Sequence, residues 1–135
     1  MNKKISKQLK SLRVGDFLQI DWHDAYKGEI RIERDSMDLT QFEVPVSSWG
    51  IYLGIVGKKS KYVLLMRDRF NLNEFAGIDD IDHNGIPLGM IYSIRVLGHI
   101  SLNEDFQSRL DIWLSKARIR RRKGRSTIPR EDEMN

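Results

Sequence analysis

The chain contains no cysteine in its 135 residues and only three prolines. The absence of cysteine excludes a disulfide framework, a thiolate zinc site and a cysteine nucleophile, and it fits a reducing compartment. No apolar run approaches the ~20 residues that a membrane-spanning helix needs. The first residues mix lysines with apolar residues and lack the hydrophobic region of a signal peptide. We therefore expect a cytoplasmic protein that does not insert into membranes.

Acidic residues are missing from two segments that are rich in lysine and arginine. Residues 1–13 contain five basic side chains and residues 116–126 contain seven, with no acid in either segment. Residues 14–115 carry 10 basic and 16 acidic side chains, a net charge of −6, although the whole chain has a net charge of +4. This sorting is expected where the ends of a chain contact a polyanion and the middle does something else.

Hydrophobic residues make up 40% of the chain and aromatic residues 9%, enough for one folded domain. We divide the chain into a basic N-terminal arm, a β-barrel domain, a C-terminal helix with a basic end and a flexible tail, at residues 1–13, 14–98, 99–124 and 125–135.

Four segments alternate in polarity or are dense in β-branched and aromatic residues, as strands are: residues 17–22, 49–56, 62–66 and 90–97. The second and third form a hairpin whose connection contains three lysines. Gly50 and Gly54 lie on one face of its first strand and indicate a bulge, a sharp bend or close backbone approach. Weaker alternation at residues 23–46 indicates a polar hairpin or a long ordered loop, and residues 71–89 read as a loop.

Two segments have helical spacing. In residues 5–13 the apolar Ile5, Leu9 and Leu12 lie opposite lysines, which predicts a short basic amphipathic helix. In the C-terminal third, residues 101–104 fit a capping box. Apolar residues then recur every three or four positions, at Phe106, Leu110, Trp113 and Ala117.

The opening Val14-Gly15-Asp16 resembles the start of the first strand in many small SH3-like barrels, such as KOW and Tudor modules. Ile86-Pro87-Leu88 resembles the short turn that closes such barrels. The resemblance implies a mainly β protein: an SH3-like small barrel of five or six strands with a long first loop, here followed by the C-terminal α-helix and carrying basic terminal extensions. The chain also resembles uncharacterised small archaeal proteins, which implies no activity.

The segment from Ser48 to Gly54 resembles a strand of the lecithin retinol acyltransferase and NlpC/P60-like hydrolases. Serine stands where that family has its catalytic histidine, and the chain has no cysteine. The resemblance therefore implies a member inactive as a thiol enzyme. A different hydrolase would have to bring His23, Asp24 and Ser48 together in space.

The basic segments and the hairpin lysines carry the functional prediction. Lysine and arginine at this density contact phosphates and release counterions, and arginine also binds phosphate in bidentate fashion. We predict a non-catalytic protein that binds RNA or DNA without a cofactor or metal. Its predicted contact residues are Lys3, Lys4, Lys7, Lys10, Lys58, Lys59, Lys61, Lys116, Arg118, Arg120, Arg121, Arg122, Lys123 and Arg125.

Other interpretations stay open. The basic ends also suit an accessory protein–protein interaction module, or a subunit of a larger ribonucleoprotein or protein complex, that docks on an acidic protein. The aromatic residues Trp22, Trp49, Tyr52 and Tyr62 are candidates for base stacking or for the core. Residues 80–85 match the first half of a calcium loop, but Ile91 stands where the bidentate glutamate belongs, which favours an ordinary turn.

Overall fold

The computed structural model describes residues 2–25, 43–72, 78–117 and 122–134. Its elements are α1 (Lys3–Ser11), β1 (Asp16–Ala25), β2 (Glu43–Val56), β3 (Tyr62–Leu72), β4 (Ile78–Pro87), β5 (Ile91–His99), α2 (Glu104–Lys116) and β6 (Lys123–Ile128). Short 3-10 turns lie at Leu88–Met90 and Glu131–Glu133. The protein is therefore mainly β, with a helix after the fifth strand, as predicted.

All six strands form one antiparallel sheet in the order β5-β1-β2-β3-β4-β6. Within the described residues β5 and β6 are its two edges, so the sheet is open and the predicted closed barrel is not confirmed. The sheet nevertheless curls. This follows from the contact of Arg122, just before β6, with Asp24 on the non-neighbouring strand β1 at 3.3 Å. The edge that a barrel would close is instead extended by β6, although the sequence of this segment predicts a helix end and a tail.

One face of the sheet, called the α1 face, is covered by α1. Ile5 and Leu9 are buried against alternate residues of the strands, among them Leu18, Ile20 and Val63. The Gln8 side chain also donates to the Ile94 carbonyl of β5 at 3.1 Å. The amphipathic spacing that predicted the helix thus corresponds to its packing, and the predicted arm is docked on the domain.

The opposite face, called the α2 face, is covered by α2. Phe106 and Leu110 are fully buried there against Leu64, Ile81 and Ile128. Adjacent residues of β3 point to opposite faces, as the two-residue period of a strand requires. The protein therefore has one curved sheet between two helices, with a hydrophobic core on each side.

A buried cluster of charges joins α2 to the sheet. Asp79 of β4 is fully buried and binds two guanidinium groups, Arg69 of β3 at 2.7 Å and Arg109 of α2. Arg109 also donates to the Ile128 carbonyl of β6 and to Asp105. The Arg69 guanidinium lies 4.1 Å from the centre of the Phe106 ring. Four elements, β3, β4, β6 and α2, thus meet at one carboxylate.

The Val14-Gly15-Asp16 segment forms the corner between α1 and β1. Gly15 has φ +101°, and a Cβ there would lie 2.1 Å from the Ile100 carbonyl oxygen, so only glycine fits. The Asp16 carboxylate accepts from the Arg13 amide at 2.8 Å and lies 2.8 Å from His99 Nδ1. Burial opposes ionisation of Asp16, but the Arg13 amide, His99 and the Arg13 charge together lower its pKa.

The glycines of β2 lie at a bulge and at points of close backbone approach, two of the three features predicted for them, although they do not share one face. The register slips by one residue between Tyr52 and Gly54, a bulge that moves Gly54 to the α2 face. Gly54 has φ +142°, and a Cβ there would lie 2.9 Å from Leu114 of α2. A Cβ at Gly50 would lie 2.9 Å from the Leu65 Cβ. The two glycines therefore allow α2 and β3 to approach the backbone of β2.

Three predictions about local structure are wrong. The N-cap of α2 is Asn103, which accepts from the Asp105 and Phe106 amides, and not Ser101. The helix ends at Lys116, because Ala117 is extended, and Lys123–Ile128 is a strand rather than a helix end and tail. Residues 78–87 are strand β4 rather than a loop, because β3 and β6 pair with it on both sides.

The buried charge cluster generates a prediction about stability. Replacing Arg109 with methionine leaves Asp79 buried with one partner fewer, so we expect a loss of about 3–5 kcal/mol in the free energy of unfolding, measured by urea denaturation. In the double variant D79N/R109M the loss should be smaller than in R109M. Arg130→Met at the exposed Arg130–Glu133 pair is the control with little expected change. Equal losses in R109M and the double variant would contradict this account.

Asp16 generates a prediction about pH. Because its pKa is lowered in the folded protein, its ionised form stabilises the fold above the ordinary value of 3.8, and this stabilisation is lost as the pH falls through the lowered pKa. At pH 7, Asp16→Asn should cost about 1–3 kcal/mol, and the difference from wild type should shrink below pH 4. Asp111→Asn, on the exposed surface of α2, is the control. A difference that does not change with pH would refute the role of the charge.

Candidate nucleic-acid interface

The four lysines of α1 lie on its outer surface. Ile5 and Leu9 turn inward, so the helical spacing directs Lys3, Lys4, Lys7 and Lys10 to solvent, and all four are exposed. Within the described part of the chain none of them forms an ion pair. This lysine face is available to an anionic partner in a fixed orientation, because the helix that carries it is packed on the core.

The hairpin between β2 and β3 carries Lys58, Lys59 and Lys61, called here the lysine tip. The hairpin lies where it was predicted, and all three side chains are exposed. The Lys61 carbonyl accepts from the Leu88 amide at 3.1 Å, and the Leu88 side chain packs on the same core as Ile5 and Leu9. The lysine tip and the lysine face of α1 therefore border one core, the one on the α1 face of the sheet.

The described basic residues of the C-terminal segment mostly contact other parts of the protein. Lys116 donates to the Met134 carbonyl at 2.5 Å. The Arg122 guanidinium pairs with Asp24 and lies 5.5 Å from the Trp22 ring centre. The Arg125 guanidinium lies 3.8 Å from the Phe70 ring centre, and Lys123 is exposed in β6. The remaining predicted contacts lie outside the described residues: Arg118, Arg120 and Arg121.

Within the described residues, the two helices differ in exposed charge. The lysine face of α1 covers one side of the sheet, and the exposed surface of α2 on the other carries Glu104, Asp105 and Asp111, with Lys116 in its last turn. The acidic turn Glu131–Glu133 lies next to the C-terminal end of α2, because Met134 packs on the core of the α2 face. Within the described residues, the exposed surface of α1 is therefore more positive than that of α2.

The aromatic residues proposed for stacking are distributed unevenly. Trp22 and Tyr52 belong to the core, and burial, followed by the negative charge of Asp16, raises the pKa of the Tyr52 phenol. Tyr62 is half-buried. Trp49 is 50% exposed on the part of the α2 face that α2 leaves uncovered, in register with Gln19. Trp49 is thus the most accessible of the four for a planar ligand.

The triad of His23, Asp24 and Ser48 is not assembled. The hydroxyl of Ser48 is buried on the α1 face, where it accepts from Trp22 Nε1 at 3.0 Å and from Asn84 Nδ2 at 3.3 Å. His23 lies on the opposite face, because it follows Trp22 in an unbroken register, and its ring lies 4.6 Å from that of Tyr92. The Ser48 hydroxyl is therefore an acceptor for two buried side chains, and the sheet separates it from His23.

The half calcium motif at residues 80–85 is part of β4, where alternate residues point to opposite faces. In the described ranges no three histidine, aspartate or glutamate side chains are grouped as metal ligands. Over the same ranges no helix has the length and apolar character needed to cross a membrane.

An apolar sheet edge is the feature that sequence reasoning missed. Large hydrophobic side chains are exposed along β5 and beside it, namely Met90, Tyr92, Val96, Leu97 and Ile100. The sequence contained a signal, since Val96 and Leu97 are adjacent apolar residues and one of any such pair in a strand faces away from the core. The alternation alone could not show that β5 is an edge strand.

No family model, curated protein or solved structure matches the chain.

Proposed function

We propose that the protein is a cytoplasmic, non-catalytic nucleic-acid-binding protein that contacts RNA or DNA phosphates through the lysine face of α1 and the lysine tip. The observation that carries the proposal is that two well-anchored elements present seven exposed lysines, none of which forms an ion pair within the described residues. Such ammonium groups lose little on contact with phosphate, because no ion pair with a described residue has to be broken.

The opposite charges of the two helices support the proposal further. With three acids exposed on α2, a polyanion is attracted more strongly to the α1 side, which limits unspecific coating. Lys116, Arg118, Arg120, Arg121, Arg122, Lys123 and Arg125 remain proposed contacts. Of these, Arg122 and Arg125 would have to exchange contacts within the protein for phosphate. We therefore assign the larger contribution to the N-terminal helix.

The proposal includes an SH3-like arrangement of β1 to β5. Three features support it: β5 returns to pair with β1, the 3-10 turn Leu88–Met90 separates β4 from β5, and β2 is long and has a bulge at Gly54. In this arrangement β6 and α2 are additions to the module.

The lysine face of α1 generates a prediction about binding. In the variant K3Q/K7Q/K10Q the slope of log affinity against log salt should fall by about 2–3 for single-stranded RNA and for duplex DNA, because each lost phosphate contact removes about 0.7–0.9 from the slope. Glutamine preserves the helix. Fluorescence anisotropy with labelled oligonucleotides at several salt concentrations measures both quantities.

The matched control is R67Q/R95Q/R130Q, which removes the same net charge from exposed positions elsewhere. It should retain most of the wild-type salt slope. Equal effects of the two variants would show that net charge alone matters and would overturn the assignment to α1. A wild-type protein that binds neither oligonucleotide at low salt would overturn the proposed function.

The apolar edge at β5 favours a second candidate function, an accessory module that binds an acidic protein. Five large hydrophobic side chains are exposed between residues 90 and 100, and Gln8 occupies only the Ile94 carbonyl of this edge. An extended segment of a partner can add to the rest of the strand. Because α1 packs against β5, its lysines flank this edge and complement a segment with acidic residues.

The second candidate predicts a complex that survives nuclease. Pull-down with V96K/L97K should lose a partner that wild type retains after RNase and DNase treatment, because two charges prevent apolar burial at the edge. Ile55→Lys, an exposed apolar position at the far end of β2, is the control and should retain the partner. Loss of every partner on nuclease treatment of the wild-type complex would contradict this candidate.

A further inference from the structure

An open groove separates the lysine tip from the 3-10 turn before β5. Residues 59–62 form one wall and residues 87–89 form the other, around a volume of about 440 Å³. This volume lies within the range of small-ligand sites and is far below what a duplex requires. The groove is thus of the size of one or two nucleotide units.

Backbone contacts hold the two walls in place. The Leu88 amide donates to the Lys61 carbonyl, and Tyr62 pairs with Pro87 in the ladder between β3 and β4. Gly57 turns the tip with φ +106°, where a Cβ would lie 2.0 Å from the Ser60 carbonyl oxygen. The groove is therefore formed before any ligand arrives, which reduces the entropy cost of binding.

The two walls differ in chemistry. The tip wall offers the exposed ammonium groups of Lys59 and Lys61 with the Ser60 hydroxyl, which suit a phosphate. The opposite wall offers the apolar side chains of Pro87 and Leu88, which suit the flat surface of a base. Gly89 adds no side chain, and a Cβ built there meets no atom within 4 Å, so the mouth of the groove is open.

We propose that this groove binds one nucleotide unit of single-stranded nucleic acid, with the phosphate at Lys59 and Lys61 and the base against Pro87 and Leu88. The inference rests on the proposed function and deepens it, because it assigns to the lysine tip a preference for unpaired strands. The lysine face of α1 contacts the phosphates of paired and unpaired strands alike, whereas a base in a duplex is stacked between its neighbours and cannot enter the groove.

Gly89 allows a direct test. In Gly89→Leu the added Cβ meets no protein atom within 4 Å, the larger side chain stands at a position that lines the groove, and φ at this position is not in the left-handed region. Gly98→Leu is the matched control, because a Cβ there also meets nothing within 4 Å and the residue lies on β5. Circular dichroism and thermal unfolding confirm that both variants fold.

The binding probes are a dT oligonucleotide, a DNA duplex of the same length, and thymidine monophosphate. We expect Gly89→Leu to weaken dT binding about tenfold, the effect of losing roughly 50–60 Å² of apolar contact between the base and the groove wall, and to leave duplex binding unchanged. Gly98→Leu should change neither. The variant K59Q/K61Q should lower the salt slope for the dT oligonucleotide by about 1.4, twice the 0.7 expected for each single-strand contact.

Three outcomes would overturn the inference. The first is a dT affinity of Gly89→Leu at the wild-type value, which means that the groove is empty in the complex. The second is an equal loss of dT and duplex binding, which removes the preference for unpaired strands. The third is binding of thymidine monophosphate as tight as that of the oligonucleotide, which assigns the groove to free nucleotides. The proposed function survives the first two outcomes if K3Q/K7Q/K10Q still lowers the salt slope.

Discussion

The carboxylate of Asp79 is the constraint on which the α2 side of the protein depends. It is fully buried in a strand with neighbours on both sides, and a buried charge without partners is too costly for a fold of this size. Arg69 comes from the neighbouring strand, but Arg109 has to come from α2. The requirement for the second cation therefore fixes where α2 lies on the sheet, and the Arg109 contact to Ile128 holds the edge strand in the same arrangement.

The positions of the two helices then determine the electrostatics of the surface. With α2 held by Arg109 and by Phe106, its acidic first turn and Asp111 can only face solvent on that side. On the other side, Ile5 and Leu9 insert into the core and leave the lysines outside. The two helices therefore present different charges to solvent, lysines on α1 and mainly acids on α2. The acidic middle of the sequence contributes to one side through α2 and to the sheet itself through residues such as Asp79 and Asp16.

Local patterns predicted the elements whose structure is decided locally. The alternation at β1, the hairpin of β2 and β3 and the apolar stripes of both helices follow from periods of two and 3.6 residues, which do not depend on distant partners. β6 could not be found in this way, because Lys123 and Arg125 are typical of a solvated segment and only pairing with β4 makes a strand of them. The burial of Asp79 could not be predicted from the sequence either, because aspartate is rarely buried unless it is paired. One sign of it in the sequence is Arg109, a charged residue that lies three residues after Phe106 on the apolar stripe of α2.

At the candidate interface, too, the features decided by local sequence could be predicted, and those that depend on distant partners could not. The lysines of α1 and of the hairpin tip were found because charge and exposure go together, and their helix and turn were recognisable. The contacts of Arg122 with Asp24 and Trp22, and of Arg125 with Phe70, depend on the curl of the sheet and on β6. The groove beside Gly89 requires two segments about 25 residues apart in the chain to lie side by side, which no local pattern reveals.

The first turn of α1 has an unfavourable arrangement of charge. It carries Lys3 and Lys4 and no acid, so two positive charges lie at the positive end of the helix dipole, where the Asn2 side chain satisfies only the Lys4 amide. This arrangement disfavours the helix by itself, and packing of Ile5 and Leu9 compensates for it. Anions at this end would remove the repulsion. Binding of an anion there would therefore also stabilise α1, because it would favour the folded helix over the unfolded segment.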